Sequence, residues 1–345
     1  MQGDVQEVLR SWSWLDPVVT ELAGGLINAS YAVRVGGEPV AVLQRLNTSV
    51  FQPEVHLDID AVTGHLADRG LSTPRLIRTV DDALWHASEA GVWRALQWVG
   101  NRTIHKVRDP ADAFSAAELV GRVHGALFDL DWAFRSVRPG PHDTVAHLAR
   151  MRAAVDTHGD HRLFEEVAPL AEEVEERWSA WQGSLAYPDR VIHGDLKISN
   201  VRFADAKAVA LVDLDTFQRG SLPVELGDAM RSWCNPATED HAGAVFDLDV
   251  FGAAMAGYAA GAARTDHPPS ESEWSGIVAG TERICLELSA RFLRDALEEK
   301  YFGFEERFGG RGEHNLIRAR GQLDLARKVR QARGEAERRL AEARA

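Results

Sequence analysis

Residues 191 to 217 read VIHGDLKISNVRFADAKAVALVDLDTF and hold the densest set of polar side chains able to do chemistry in this chain. Val201-Arg202-Phe203 and Val209 to Val212 are two short β-rich runs around a turn at Ala204 to Lys207, an antiparallel hairpin by alternation and spacing. In such a hairpin the residue entering the first strand lies beside the residue leaving the second, about 5 Å apart at Cα, which predicts that Asn200 meets Asp213. An amide oxygen and a carboxylate converging on one point are hard ligands, suited to Mg²⁺ that keeps some waters and bridges to phosphate oxygens. Asp195, on the loop just upstream, is placed to receive or orient the proton of an attacking hydroxyl. Lys197 is placed to aim an ammonium at a transferring phosphoryl group. His193 is better suited to holding this loop by hydrogen bonds than to moving protons. Each residue alone would serve a turn equally well; the combination H-G-D-x-K-x-x-N, then D-x-D after a short hairpin, is what points to chemistry.

Elements on either side must position this loop. Before residue 100 the sequence alternates strand and turn signals: YAVRV at 31–35 and VAVLQRL at 40–46 joined by Gly36-Gly37-Glu38-Pro39, then PRLIRT at 75–80, ALWHA at 83–87 and VWRALQWV at 92–99. Between the two groups Pro53 opens a helical segment in which Val55, Ile59, Val62 and Leu66 recur at helical spacing, ending at Gly70. After Gly100-Asn101 long helices are expected at 110–128, 142–157, 162–182, 239–263 and 270–299. The reading is an α+β chain with a strand-rich part, 1–99, and a mainly helical part, 100–345. No repeat of 20 to 50 residues is present.

Composition narrows the function classes. The chain has 345 residues, 45% apolar and 26% charged, which is ordinary globular usage and enough length for a large core. Its formal charge of −13 opposes nucleic acid as a partner. Cys234 and Cys285 form no C-x-x-C pair or disulfide framework, so a reducing, cytoplasmic setting is the simplest expectation. The N-terminus lacks the pattern of a signal peptide, and the longest weakly apolar run, Phe251 to Ala263, is too short and too rich in Ala and Gly to span a membrane. The stretch from Arg327 to Ala345 is strongly basic and is expected to be a solvated or fraying helix.

The 191–217 segment resembles the catalytic core of the aminoglycoside phosphotransferase and choline kinase superfamily, small-molecule kinases with a protein-kinase-like two-lobed fold. Within it the sequence is most similar to the N-acetylhexosamine 1-kinases, through GGLINASYAV at 24–33, VLQRLNTSVF at 42–51, VIHGDLKISNV at 191–201, LVDLDTFQRGSLPVELGDAMR at 211–231, RFLRDAL at 291–297 and HNLIRARGQL at 314–323. The resemblance implies ATP and Mg²⁺ as cofactors, Asp195 as catalytic base, and Asn200 and Asp213 as metal ligands. Asp215 either assists the metal or fixes the loop, and Thr216 lies where it can face a sugar. The implied reaction is transfer of the γ-phosphate to the anomeric hydroxyl of an N-acetylhexosamine. The alternatives are another alcohol, such as an aminoglycoside, choline-like or amino-acid hydroxyl, or a non-catalytic nucleotide-binding protein.

There is no G-x-x-x-x-G-K-[ST], so phosphates must be held without a P-loop. Gly24 and Gly25, followed by Asn28 and Ser30, lie between the first two strands, where such folds place a phosphate-covering turn. Many kinases of this architecture carry a Lys on the third strand; here Gln44 takes that position, and its amide can donate hydrogen bonds but no charge. Gln97 to Val99 are expected to link the lobes and pair with adenine, with Trp98 either joining them or packing. Arg231, Arg291, Asn315 and Arg318 lie in the segments similar to the hexosamine kinases. They would serve sugar hydroxyls or salt bridges equally well.

Overall fold

In the computed structural model, residues 2–22, 27–136, 142–237 and 239–345 are described. Helix α1 (Gln2–Val8) leads into strand β1 (Val18–Glu21), the hairpin β2 (Ala29–Val35) and β3 (Glu38–Arg45), helix α2 (Val55–Asp68), and the hairpin β4 (His86–Ser88) and β5 (Gly91–Gln97). The strands form one antiparallel sheet in the order β1-β2-β3-β5-β4. Val33, Ala41, Leu43, Trp93 and Ala95 turn one face of it against Val5, Val8, Leu9 and Trp12. That apolar face is why the N-terminal helix stays docked; each fully buried Val or Leu is worth about 1.5–3 kcal/mol.

Two of the expected strands come out differently. Residues 75–80 do not form a ladder strand, and the second hairpin is centred on Glu89-Ala90 instead. Short β4 covers only the start of β5. The rest of that edge is satisfied by the extended segment 75–77, through a Leu76–Leu96 bridge and bonds from Ile77 N–H to Ala95 O and Gln97 N–H to Arg75 O.

Past β5 the chain enters a second body of structure. Strand β6 (Arg102–Thr103) pairs with β8 (Val201–Ala204), which pairs with β9 (Lys207–Leu211); β7 (Asp189–Ile192) pairs with β10 (Gln218–Ser221). Around these lie α3 (Pro110–Ala126), α4 (Thr144–Thr157), α5 (Phe164–Ser179), α6 (Leu222–Trp233), α7 (Leu248–Ala262), α8 (Glu271–Glu298) and α9 (Arg311–Ala343). Start signals in the sequence explain several of their boundaries. Asp109 caps α3 ahead of Pro110, Asp143 caps α4, and Ser270 with Glu273 makes a capping box on α8. Helix α7 begins at Leu248 rather than near 239 because Asp247 accepts from the N–H groups of Asp249 and Val250 and so fixes its start. The Ala/Gly run of α7 serves packing: a Cβ on Gly257 would lie 2.1 Å from the Phe114 carbonyl oxygen of α3. Among the described residues no helix is long and apolar enough to cross a membrane.

The basic C-terminal stretch is docked and does not fray. Val329, Ala336 and Leu340 are buried against the large core, and the arginines around them are tied down. Arg327 pairs with Glu173 of α5, Arg339 with Asp249 of α7, and Arg344 with Glu271 of α8. Helix α2 has the expected buried face of Val55, Ile59, Val62 and Leu66. It also buries His56, stacked on Trp85 at 5.1 Å, with Nδ1 2.6 Å from the Pro53 carbonyl oxygen. Burial first, and the positive charge of Arg94 second, push this imidazole down to about 4 from an ordinary 6.5.

Two outcomes are expected. Leu340→Ala costs about 2–3 kcal/mol in urea unfolding, as at a packed position, whereas a frayed end would lose under about 0.5 kcal/mol. For His56, the unfolded chain takes up the proton first as pH falls, so stability is complete above the ordinary pKa and declines towards the folded one. Between about pH 7.5 and about pH 5, His56→Phe therefore loses about 2 kcal/mol less than the unmodified protein, read by urea unfolding at both values.

Candidate active site

The loop between β7 and β8 is held by its backbone. Glu225, on α6 and fully buried, accepts from His193 N–H at 2.7 Å and Gly194 N–H at 3.0 Å. His193 Nε2 meets the Val212 carbonyl oxygen at 2.9 Å, so this histidine does brace the loop against the strand leading to Asp213. Gly194 has φ +80, and a Cβ there would stand 2.7 Å from the Thr216 carbonyl oxygen, so two parts of the site touch through a glycine. Trp233 Nε1 donates to Leu196 O at 2.8 Å.

Four expected residues are brought together on this frame. Lys197 Nζ lies 2.9 Å from Asp195 Oδ2. Asn200 Nδ2 donates to the Asp195 carbonyl at 2.8 Å and to its carboxylate at 3.2 Å, which leaves the amide oxygen of Asn200 to face elsewhere. The hairpin register pairs Val201 with Leu211, and Val212 N–H donates to Asn200 O at 2.9 Å, setting Asn200 beside the strand that ends in Asp213. Asp213 takes a left-handed backbone with φ 63 and accepts no hydrogen bond from any described residue. Its carboxyl is held above the usual range by burial, then by the carboxylates of Asp215 and Asp195. Lys197 answers that field: burial opposes its charge, but Asp195, Asp213 and Glu239 together keep the ammonium above its ordinary value.

The donor set fits a hard divalent cation. A carboxylate without donors, destabilised by two like charges, and an adjacent amide oxygen are the chemistry such an ion selects.

Asp215 is turned to a different use. One oxygen is bonded by Arg94 Nη1, and the other accepts from Arg94 Nη2 at 2.7 Å and Asn28 Nδ2 at 2.8 Å, both arginine and carboxylate being buried. Despite the cost of burial, the Arg94 charge keeps this carboxyl below the usual range. Gln44 is likewise committed, with Oε1 accepting from Arg94 Nε at 2.9 Å and Nε2 donating to Ser30 Oγ at 2.9 Å. Gly24 and Gly25 lie outside the described residues. At the linker, Val99 O accepts from Arg202 Nε at 3.0 Å, and the same guanidinium lies over Trp98 at 5.4 Å, so Trp98 packs. Gln97 closes β5 with an exposed side chain.

The expected arginines are held in contacts of their own. Arg231 is bonded to Asp228 at 2.9 Å and to Glu239 at 3.0 Å. Arg318 joins Asp240 at 2.7 Å and the Gly303 carbonyl at 2.8 Å, and His314 reaches the same Asp240 at 2.8 Å. Arg291 lies over the Phe302 ring at 5.5 Å and 3.9 Å from Glu287, which His142 and Thr144 also hold. Asn315 donates to Asp295 at 2.9 Å. Thr216 Oγ1 is buried without a partner.

Sequence reading missed Arg94, Glu225 and Asp228. Arg94 was legible as a lone cation in the middle of an apolar strand, and Glu225 and Asp228 as two acids one turn apart in the otherwise apolar opening of α6.

Comparison with known proteins bears on the fold and the family. Three solved structures superpose over nearly the whole length: an amicoumacin kinase in complex with AMP-PNP, Ca²⁺ and Ami (13% identity, 98% of this chain and 93% of that one, TM-score 0.62); a choline kinase from Cryptosporidium parvum Iowa II (12%, 99% of each, 0.61); and an aminoglycoside phosphotransferase from Alicyclobacillus acidocaldarius (16%, 98% and 95%, 0.59). At these identities the likeness is one of fold, the α+β kinase-like arrangement of an antiparallel N-terminal sheet and a helical C-terminal part. Residues 18–263, well over half the chain and every residue of the 191–217 segment among them, match the sequence pattern of the phosphotransferase enzyme family, APH, and the chain belongs to that family.

Proposed function

We propose that this phosphotransferase is a kinase that uses ATP and Mg²⁺ to phosphorylate the anomeric hydroxyl of an N-acetylhexosamine. The observation that carries the phosphoryl-transfer reading is the meeting of Asp195, Lys197, Asn200 and Asp213 at the end of one hairpin. Asp195 is the group that accepts the acceptor's proton, and Lys197, 2.9 Å away, offsets charge on the transferring phosphoryl group. Asn200 and Asp213 would hold Mg²⁺, which supplies charge neutralisation at the phosphates. The oxygen–phosphorus bond to the β-phosphate breaks, one to the sugar oxygen forms, and ADP leaves. Nucleotide is assigned to the cleft between residues 1–99 and 100–345, with the backbone of Gln97 to Val99 at the base; because Arg202 occupies the Val99 carbonyl, the Val99 N–H is the group left for adenine. The AMP-PNP and Ca²⁺ bound by the similar amicoumacin kinase support this use of a nucleotide and a divalent ion. Two buried free thiols fit a cytoplasmic setting.

The choice of a neutral sugar over a cationic amino alcohol rests on charge. An aminoglycoside or choline-like acceptor calls for free carboxylates or an aromatic cage. Here Asp228 and Glu239 are taken by Arg231, Asp240 by Arg318 and His314, and Glu287 by His142. Paired charges of this kind offer many hydrogen bonds and little net field, which suits hydroxyls and an N-acetyl group.

A panel of sugars and alcohols with ATP and Mg²⁺, with the product's phosphate position read by ³¹P NMR, tests the reading. The expected product is an N-acetylhexosamine 1-phosphate, and Asp195→Asn lowers turnover on it by about 10²–10⁴. Phosphate on an amino alcohol and on no sugar would sink the acceptor assignment; full turnover by Asp195→Asn would sink the role of Asp195.

A further inference from the structure

The third strand of the sheet carries no cation near the metal-binding turn; the charge of this neighbourhood enters from β5. Arg94 is 1% exposed and spends its whole guanidinium inside the protein, on both oxygens of Asp215 and on Gln44 Oε1. Gln44 passes the connection to Ser30, and Asn28 joins Asp215 while its own Oδ1 accepts from Asn47 N–H at 2.9 Å. One closed network thus ties β2, β3 and β5 to a turn that lies 121 residues further along the chain from Arg94. Gln44 Oε1 is taken by Arg94 and one N–H of its Nε2 by Ser30, so at most one neutral donor remains there and no charge.

The consequence falls on Asp213. It opens the Leu214–Thr216 turn in a left-handed conformation that a non-glycine residue adopts at a cost. Within that turn Thr216 Oγ1 has no partner, and Asp215 is the side chain that anchors it. Arg94 also cancels the charge of the buried Asp215, so that of the two carboxylates the exposed Asp213 alone is left for a cation.

We infer that Arg94 and Asp215 are a positioning pair that fixes the metal-binding turn to the nucleotide-side sheet, holding Asp213 in its left-handed pose, in place of a strand-β3 cation. Arg94 touches neither nucleotide nor acceptor. This rests on the kinase reading for the identity of the ligand, MgADP, and is independent of which alcohol is phosphorylated.

The test is calorimetric binding of MgADP, and of ADP in EDTA, to the full chain without acceptor. Arg94→Met and Asp215→Asn are each expected to weaken MgADP by about tenfold or more while changing metal-free ADP by less than about threefold, and the double variant to be no worse than the weaker single one. Arg190→Met serves as a control, since Arg190 and Glu273 form a comparably buried pair away from the metal-binding turn. It should lower the melting temperature yet leave MgADP affinity within about twofold. Unchanged MgADP affinity in folded Arg94→Met, or an equal loss for both forms of ADP, overturns the inference. Should Arg94→Met not fold, Arg94→Lys keeps the charge but loses the fork, with an expected loss of about threefold to tenfold; wild-type affinity there overturns it. An unmodified chain that fails to bind MgADP defeats the kinase reading instead, and the inference with it.

Discussion

Everything in the cleft follows from how buried negative charge is compensated. Asp213 lies in the field of Asp195 and Asp215, and Asp228 in that of Lys197; Asp195 is paired with Lys197, Asp215 with Arg94 and Asp228 with Arg231. Among the described residues Asp213 has no ion pair of its own, only the field of Lys197, and desolvation together with its like-charged neighbours raises the cost of its ionised form. A fold that only had to be stable would have little use for such an arrangement, because well-packed apolar residues in place of a buried ion pair are often neutral or better. Fixed pairs around one carboxylate that accepts no hydrogen bond from any described residue suit the proposed role of that position in holding a cation. The architecture supplies the parts of that network from separate elements. The sheet provides Arg94, helix α6 provides Glu225, Asp228 and Arg231, and the β8–β9 hairpin provides the junction itself.

Much of this was legible in sequence wherever the cause is local. Asn200 and Asp213 are joined by a short hairpin, so alternation and turn length suffice to bring them together. The β2–β3 turn, the apolar stripe of α2 and the caps of α3 and α8 follow from neighbours in the chain for the same reason. What escaped depends on partners distant in sequence. Gln44 reads as standing where such folds carry a lysine, and the sequence does not show that Arg94 and Ser30 hold its amide oxygen and one of its N–H groups. Asp215, two residues from Asp213, is likewise held by a distant partner, Arg94. The segment at 75–80 has strand composition, yet which stretch pairs with β5 depends on how much of its edge the following hairpin leaves open. In the last helix, a high density of arginine hides the apolar positions 329, 336 and 340, because long cationic side chains cover the core with their stems while pairing at their tips.

The net charge of −13 takes on a different meaning beside this geometry. A nucleotide brings several more negative charges to an acidic protein, and long-range electrostatics oppose the encounter. On the proposed function binding must then be carried at short range, where Lys197 and a divalent ion would act across a few ångströms and outweigh charges screened over about 8–10 Å of salt solution. The same reasoning bears on the acceptor. The overall sign of the surface would draw in a cationic amino alcohol, but specificity is decided by the groups that the acceptor replaces water against. On the proposed acceptor assignment those groups are Asp228, Glu239, Asp240 and Glu287, which already hold ion pairs inside the protein, Asp228 and Glu239 sharing Arg231. A cation entering among them would have to displace an arginine or a histidine from each carboxylate it used, giving up one charge-assisted bond for another. A neutral polyol can add hydrogen bonds to the spare donors and lone pairs without breaking any pair, and its transfer from water costs far less than that of a charged group.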